Sequence, residues 1–177
     1  VIGNKSGKVL LTMFSQNTNL LLAFLRDHNT ARSVLDVFND LYAMFGRETY
    51  CRLFPVILTD RGSEFSNPVP IEQDENDELR SLVFYCNPSA PYQKGGIEVA
   101  HELVRRVLPK GKSFDDLQQE DIDLMLSHIN SYKRGKLNSR SAYQLFNFIY
   151  GDDILPKLNI REIEANDIVL SPKLLKK

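Results

Sequence analysis

Two short apolar runs near the start of the chain constrain its fold most. Val9 to Phe14 (VLLTMF) and Leu20 to Leu25 (LLLAFL) flank Ser15 to Asn19 (SQNTN), a cluster of turn formers. Runs of this length bounded by turn residues read as strands, and the spacing predicts an antiparallel hairpin. Gly3 to Gly7 (GNKSG) is a further turn, so a strand before it would retain only Val1 and Ile2 of this chain. Thr30 can cap a helix over the next segment, where Val34, Phe38, Leu41 and Phe45 form one apolar stripe and Gly46 is expected to stop it. Val56 to Thr59 reads as a short strand of buried type, Ser66 to Arg80 as an exposed acidic loop, and Leu82 to Tyr85 as another strand. A helix then starts near Gly96 or Ile97 and ends before Pro109, with Ile97, Ala100, Val104 and Val107 on its apolar face. Ser113 with Asp116 carries a capping signature ahead of a helix through Leu117, Met125, Ile129 and Tyr132, and Ser141 can cap a last helix ending at Gly151. Strands and helices mixed in this order make an α/β chain. The expected division is a core over residues 1–151 and a loosely packed C-terminal extension over 152–177.

Composition narrows the function class. A chain of 177 residues, 42% apolar and 25% charged, can build a globular core. The longest apolar run, six residues at Leu20 to Leu25, is too short to span a bilayer. The chain opens on Val1 without a signal-peptide pattern and reads as a piece of a longer protein. Cys51 and Cys86 make neither a disulfide framework nor a zinc spacing, so a reducing cytoplasm is the expected compartment. No P-loop, no G-x-S-x-G elbow and no H-E-x-x-H box is present.

The net charge of −1 hides an uneven distribution. Glu64 to Glu78 carries six acids and no base, whereas Lys133 to Arg140 carries four bases and no acid. A second basic group comprises Lys94, Arg105, Arg106, Lys110 and Lys112. Such patches can hold phosphates even when the total charge is near zero, although solvated surface charge looks the same in sequence.

Two acids stand out by position. LTDRGSEF (Leu58 to Phe65) puts Asp60 at a strand end beside a glycine turn, and PYQKGGIEVAHE (Pro91 to Glu102) puts Glu98 in the first turn of a helix. Each alone has an ordinary structural explanation, because Asp closes strands before turns and acids complement the helix dipole at its start. Carboxylates mounted on rigid elements are also how hard divalent cations are held for phosphoryl transfer.

LTDRGSEF followed by CNPSAPYQKGGIEVAHELVRR resembles the catalytic core of DDE transposases and retroviral integrases. Within that family the similarity is greatest to bacterial insertion-sequence transposases of the IS-thirty group. GKVLLT, LPKG (Leu108 to Gly111), DIDLMLSHINSY and SAYQLF extend the resemblance over nearly the whole chain. It implies a ribonuclease-H-like fold, a mixed five-stranded sheet flanked by helices, with the first strand truncated here. It implies metal-dependent DNA cleavage and strand transfer, with Mg²⁺ or Mn²⁺ in a two-metal site. It also implies DNA as partner, at transposon ends and target, and a homo-oligomeric active complex without a membrane. Carried over by position, Asp60 is the second acid and Glu98 the third, both catalytic and both metal ligands. The first acid would precede Val1, which implies an inactive fragment of an active parent. Lys94, Arg105 and Arg106 are the candidate DNA-phosphate contacts. Arg61 stands where the family often has Asn, and Val99 and Ala100 follow Glu98 where Asn is common. Those departures favour an alternative reading, a catalytically inactive transposase remnant that binds DNA or assembles. A second alternative, a structure-specific nuclease, would recruit a later acid such as Asp121 or Asp123.

Overall fold

The computed structural model describes residues 2–3, 7–87 and 95–175. In chain order the regular elements are β1 (Ile2–Gly3), β2 (Val9–Phe14), β3 (Leu21–Arg26), α1 (Ala31–Leu53), β4 (Val56–Thr59), α2 (Val69–Glu72), β5 (Leu82–Tyr85), α3 (Gly95–Val107), α4 (Gln119–Ser131), α5 (Ala142–Tyr150) and α6 (Ile154–Lys157). They fall into two compact units. One is formed by the described residues within Val1–Asp27 and Lys94–Lys177, the other by those within His28–Gln93.

The protein is α/β, and its described strands make two hydrogen-bonded sheets, of three and two strands, where the resemblance implies one sheet of five. The first unit holds an antiparallel sheet in the order β1-β2-β3, and the second a parallel pair, β4-β5.

In the first unit the expected hairpin forms, with Val9 opposite Arg26 and Phe14 opposite Leu21. Its turn is closed by Ser15 N–H donating to the Leu20 carbonyl at 2.9 Å, and Asn19 takes the left-handed conformation that asparagine tolerates (φ 58°). Strand β3 would leave an edge of unpaired peptide groups. Two amides on α4, three helical turns apart, cover it. Asn130 Oδ1 accepts from Leu21 N–H at 2.9 Å, and its Nδ2 donates to the Leu21 carbonyl at 2.8 Å. Gln119 does the same further along, accepting from Leu25 N–H at 2.8 Å and donating to the Ala23 carbonyl at 3.1 Å. Helix α4 thereby lays Ile122, Met125, Leu126 and Ile129, all buried, against the sheet.

Helix α4 starts at Gln119, later than a Ser113 cap would place it. Ser113 and Asp116 lie in the preceding turn, where the Ser113 hydroxyl donates to Asp115 at 2.7 Å. The cap is instead Gln118, whose N–H donates to the Asp121 carboxylate at 3.0 Å. Ser141 does cap α5: Gln144 N–H donates to its hydroxyl at 3.1 Å. The chain after Asp152 is not loose. Ile154, Leu155, Leu158 and Ile160 are buried. Further along, the Arg161 and Ile163 N–H groups donate to Ser127 and Ser131 at 3.1 and 2.9 Å, and Val169 N–H donates to His128 Nδ1 at 3.1 Å. All three acceptors stand on one face of α4, and side-chain acceptors leave no periodicity in the segment that docks on them.

In the second unit Thr30 caps α1, accepting from Ser33 N–H at 3.1 Å, and the stripe Val34, Phe38, Leu41 and Phe45 is buried as expected. Gly46 does not end the helix. It takes φ 72° and ψ 164°, kinks the axis, and the helix runs on to Leu53. Glycine reaches that conformation at no steric cost, so the residue that stops a helix can also bend one.

The segment 66–80 is not an exposed loop throughout. It contains α2, buries Ile71 and Arg80, and closes on itself through a bridge between Gln73 and Leu79. Strands β4 and β5 are not of buried type. Val56 faces Leu82 and Leu58 faces Phe84, and these four side chains are all exposed. Parallel strands are usually covered on both faces. In this pair the fully buried residue is Thr59, on the opposite face.

Candidate active site

The loop that carries Asp60 is anchored at both ends. At one end the ladder continues past β4, with Cys86 N–H donating to the Thr59 carbonyl at 2.8 Å. At the other, a single 3₁₀ turn (Ser63–Phe65) buries Phe65, packs against α1, and accepts the Tyr85 hydroxyl at the Phe65 carbonyl. Between these anchors Gly62 N–H donates to Asp60 Oδ1 at 3.3 Å, an aspartate turn that holds the side chain over its own loop. Asp60 itself is exposed, as is Arg61.

Glu98 is mounted differently. It stands in the first turn of α3, exposed, while Ala100, Leu103, Val104 and Val107 form the buried face of the helix. Leu103 joins the predicted stripe, and Ile97 is only half-buried. Two features fix the helix against β2. A Cβ at Gly96 would overlap the Phe14 ring, so the glycine permits a close approach. One turn further on, His101 Nε2 and the Thr12 hydroxyl share a hydrogen bond of 2.8 Å. His101 is thus a positioning contact for the helix, and Glu102 lies exposed.

Arg105 and Arg106 are exposed in the last turn of α3, and Arg105 shares the Glu98 face. Lys94 lies outside the described residues, as does the stretch from Pro91 to Gln93. Asp60 belongs to the second unit, whereas Glu98, Arg105 and Arg106 belong to the first. Carboxylate oxygens are the right donors for Mg²⁺ or Mn²⁺. Two acids, one in each unit, do not by themselves complete a ligand set, and among the described residues no three His, Cys, Asp or Glu side chains form a group that could hold a metal.

The later acids have structural partners. Asp121 caps α4. Asp123 is buried and accepts from Gln119 Nε2 at 2.8 Å and Asn159 Nδ2 at 3.4 Å, and burial pushes its carboxyl above the usual range against those two hydrogen bonds. It lines a cleft of about 410 Å³ together with Glu120, Ser127, Tyr143 and Arg161. Neither Asp60 nor Glu98 touches that cleft. No described helix is long and apolar enough to cross a membrane. Sequence reasoning missed one residue of consequence, Arg134. It counts as one of four bases in a surface run, yet its side chain is buried. A run of charges gives no sign of which member turns inward.

Comparison with known proteins gives the site its context. No family model matches the chain. A protein of a Spiroplasma virus named as integrase ORF3 is 28% identical over 146 residues, covering 82% of this chain and 43% of the relative. The transposase for insertion sequence element IS1086 of Cupriavidus metallidurans is 35% identical over 63 residues, covering 36% of this chain and 19% of the relative. Transposase InsI for element IS30A of Escherichia coli is 27% identical over 63 residues, covering 36% and 16%. The chain spans less than half the length of each of these relatives. The protein is similar to one protein named as an integrase and to insertion-sequence transposases, those of the IS30 elements among them.

Proposed function

We propose that this chain is the catalytic-core part of a DNA transposase or integrase that cleaves DNA strands and joins them to a target. The observation that carries the reading is the similarity to an integrase-named relative across 82% of the chain, joined by similarity to transposases of two insertion sequences over 36% of it. The fold proposed with it is ribonuclease-H-like, a mixed five-stranded sheet with helices on its faces. Asp60 and Glu98 supply two of the metal-binding carboxylates, and both are exposed on anchored elements as ligands for an external ion must be. When bound, a pair of divalent cations supplies activation of the attacking oxygen and charge stabilisation at the leaving one. The chain spans less than half the length of these relatives, so the activity is proposed of a longer, oligomeric protein. Lys94, Arg105 and Arg106 hold backbone phosphates beside the reacting strand. A non-cutting DNA-binding or assembly module is the second reading, favoured by Arg61 and Val99, at positions where the family commonly has Asn, and by the near-neutral net charge of −1.

The test uses the longer protein with labelled duplex DNA and Mg²⁺ or Mn²⁺. Asp60→Asn and Glu98→Gln are expected to lower strand cleavage by about 10²- to 10³-fold, on the scale of losing one electrostatic stabiliser of the reaction, while circular dichroism stays unchanged. Cleavage at the wild-type rate in either variant would sink the assignment. Absence of cleavage from the wild-type protein, with DNA binding intact, would select the module.

A further inference from the structure

The loop between α4 and α5 has a construction that the active-site reading does not use. Arg134 and Arg140 face each other across it as an isolated antiparallel bridge, with Arg134 N–H donating to the Arg140 carbonyl at 3.1 Å. Between them a 3₁₀ turn (Gly135–Leu137) leads into Asn138 and Ser139, successive residues with φ of 52° and 61°. Lys133, Lys136 and Arg140 are exposed on this loop, and among the described residues none of them has an acidic partner. Arg134 is the exception in burial, only 8% exposed. Its Nε and Nη2 are sealed from solvent and have no hydrogen-bond partner among the described residues. Burial lowers its pKa, a sign that the charge is poorly compensated.

A buried guanidinium without partners is expensive, and native proteins satisfy nearly all buried polar groups. The same molecule shows the ordinary solution at Arg80, which is also buried and is bonded through both Nε and Nη2. What Arg134 lacks is an acceptor with two oxygens that suits the planar guanidinium fork, and phosphate is such a group. The three exposed cations around it extend the positive surface beyond one anion, as a polymeric phosphate chain requires. We propose that residues 133–140 form a phosphate-binding loop that takes the backbone of DNA, the loop opening to bring the sealed Arg134 nitrogens onto one phosphodiester while Lys133, Lys136 and Arg140 meet its neighbours. The choice of DNA rests on the transposase reading. The phosphate chemistry rests on the loop alone.

The experiment is a fluorescence-anisotropy titration of labelled duplex DNA with the 177-residue chain, between about 50 and about 200 mM salt, paired with thermal melting. Arg134→Met is expected to weaken binding about tenfold and reduce the salt slope by about one. Its melting temperature should stay level or rise, because the substitution removes an unpaired buried charge. Lys133→Ala/Lys136→Ala, on exposed positions that leave the fold intact, should reduce the slope by about two. Binding by Arg134→Met within about twofold of wild type overturns the proposal, as does an unchanged slope in the double variant. If Arg134→Met fails to fold, the double variant decides alone. Inorganic phosphate that raises the melting temperature only when Arg134 is present, together with DNA binding indifferent to Arg134, would mark a small-anion site and overturn the DNA assignment. Arg134-dependent DNA binding in a protein that never cleaves would leave the loop standing and remove the enzyme. Cleavage with Arg134-independent binding would do the reverse.

Discussion

Arg80 and Arg134 are the same side chain buried to nearly the same degree, and they are treated in opposite ways. Around Arg80 the segment 66–80 bends so that the Pro70 and Ile71 carbonyls accept from Nη2 and Nε at 2.8 and 3.1 Å, while Asn39 Oδ1 accepts at 2.7 Å. The guanidinium also lies over the Tyr42 and Tyr50 rings at 5.1 and 5.6 Å, where a delocalised cation is favoured. Around Arg134 the loop 132–140 satisfies its own peptides and leaves the guanidinium without acceptors. A satisfied buried arginine holds a structure together, whereas an unsatisfied one reserves its donors for something that arrives.

The largest effect should come from removing the satisfied member. Arg80→Met strands the Pro70 and Ile71 carbonyls, and should cost about 3 kcal/mol by the usual penalty for buried unpaired acceptors. Chemical denaturation followed by circular dichroism measures it. Arg134→Met should cost nothing in the same assay. Equal losses in the two variants would erase the distinction between the loops.

That distinction could not be read from the sequence. Short apolar runs around a turn cluster, a 3.6-residue stripe and a capping residue made the β2–β3 hairpin, the α1 stripe and the Ser141 cap legible, because each is written in the local order of apolar, turn or capping residues. The packed turn over 66–80 is held instead by Arg80 reaching across to Asn39 and Tyr42, contacts that leave no periodic trace. The acidity of that segment suggested solvent, yet Asp74 is its hub, accepting from Tyr42, Arg47 and the N–H groups of Asn76 and Glu78. At the candidate site the sequence marked Asp60 and Glu98 by their glycine turns. How they are anchored, through Phe65 and Tyr85 for one and through Phe14, Thr12 and His101 for the other, emerges only from packing.

Asp74 sharpens the comparison with a group satisfied in only one protonation state. The Tyr42 hydroxyl, first, and then the two N–H groups and Arg47 hold its carboxyl below the usual carboxylate value, against the opposing effect of burial. A depressed folded-state pKa stabilises above the unfolded value of about 3.9 and is lost as pH falls through the folded one. Asp74→Asn should lower the melting temperature at neutral pH and flatten its dependence on pH below about 4. An acid limb as steep in the variant as in wild type would show that the loop around Arg80 does not depend on this carboxylate.

The smallest expected effect concerns His128, the conditional group in the unit that holds Arg134. Its Nδ1 accepts from Val169 N–H, so the docked C-terminal segment requires a ring with that nitrogen unprotonated. Burial, then the charge of Arg161, pushes the imidazole pKa below its ordinary value, partly opposed by Asp167. As pH falls through about 6.5 the unfolded chain takes up the proton first. The stabilising contribution is therefore present above that value and lost as pH falls through the lower folded-state pKa. Melting measured about one unit above and one unit below pH 6.5 should show a drop in wild type. His128→Asn offers an amide oxygen near the same place without titrating, and should reduce that drop. If the drop persists in full, docking of the segment does not depend on the state of His128, and the contrast in this unit narrows to the unpaired charge of Arg134 alone.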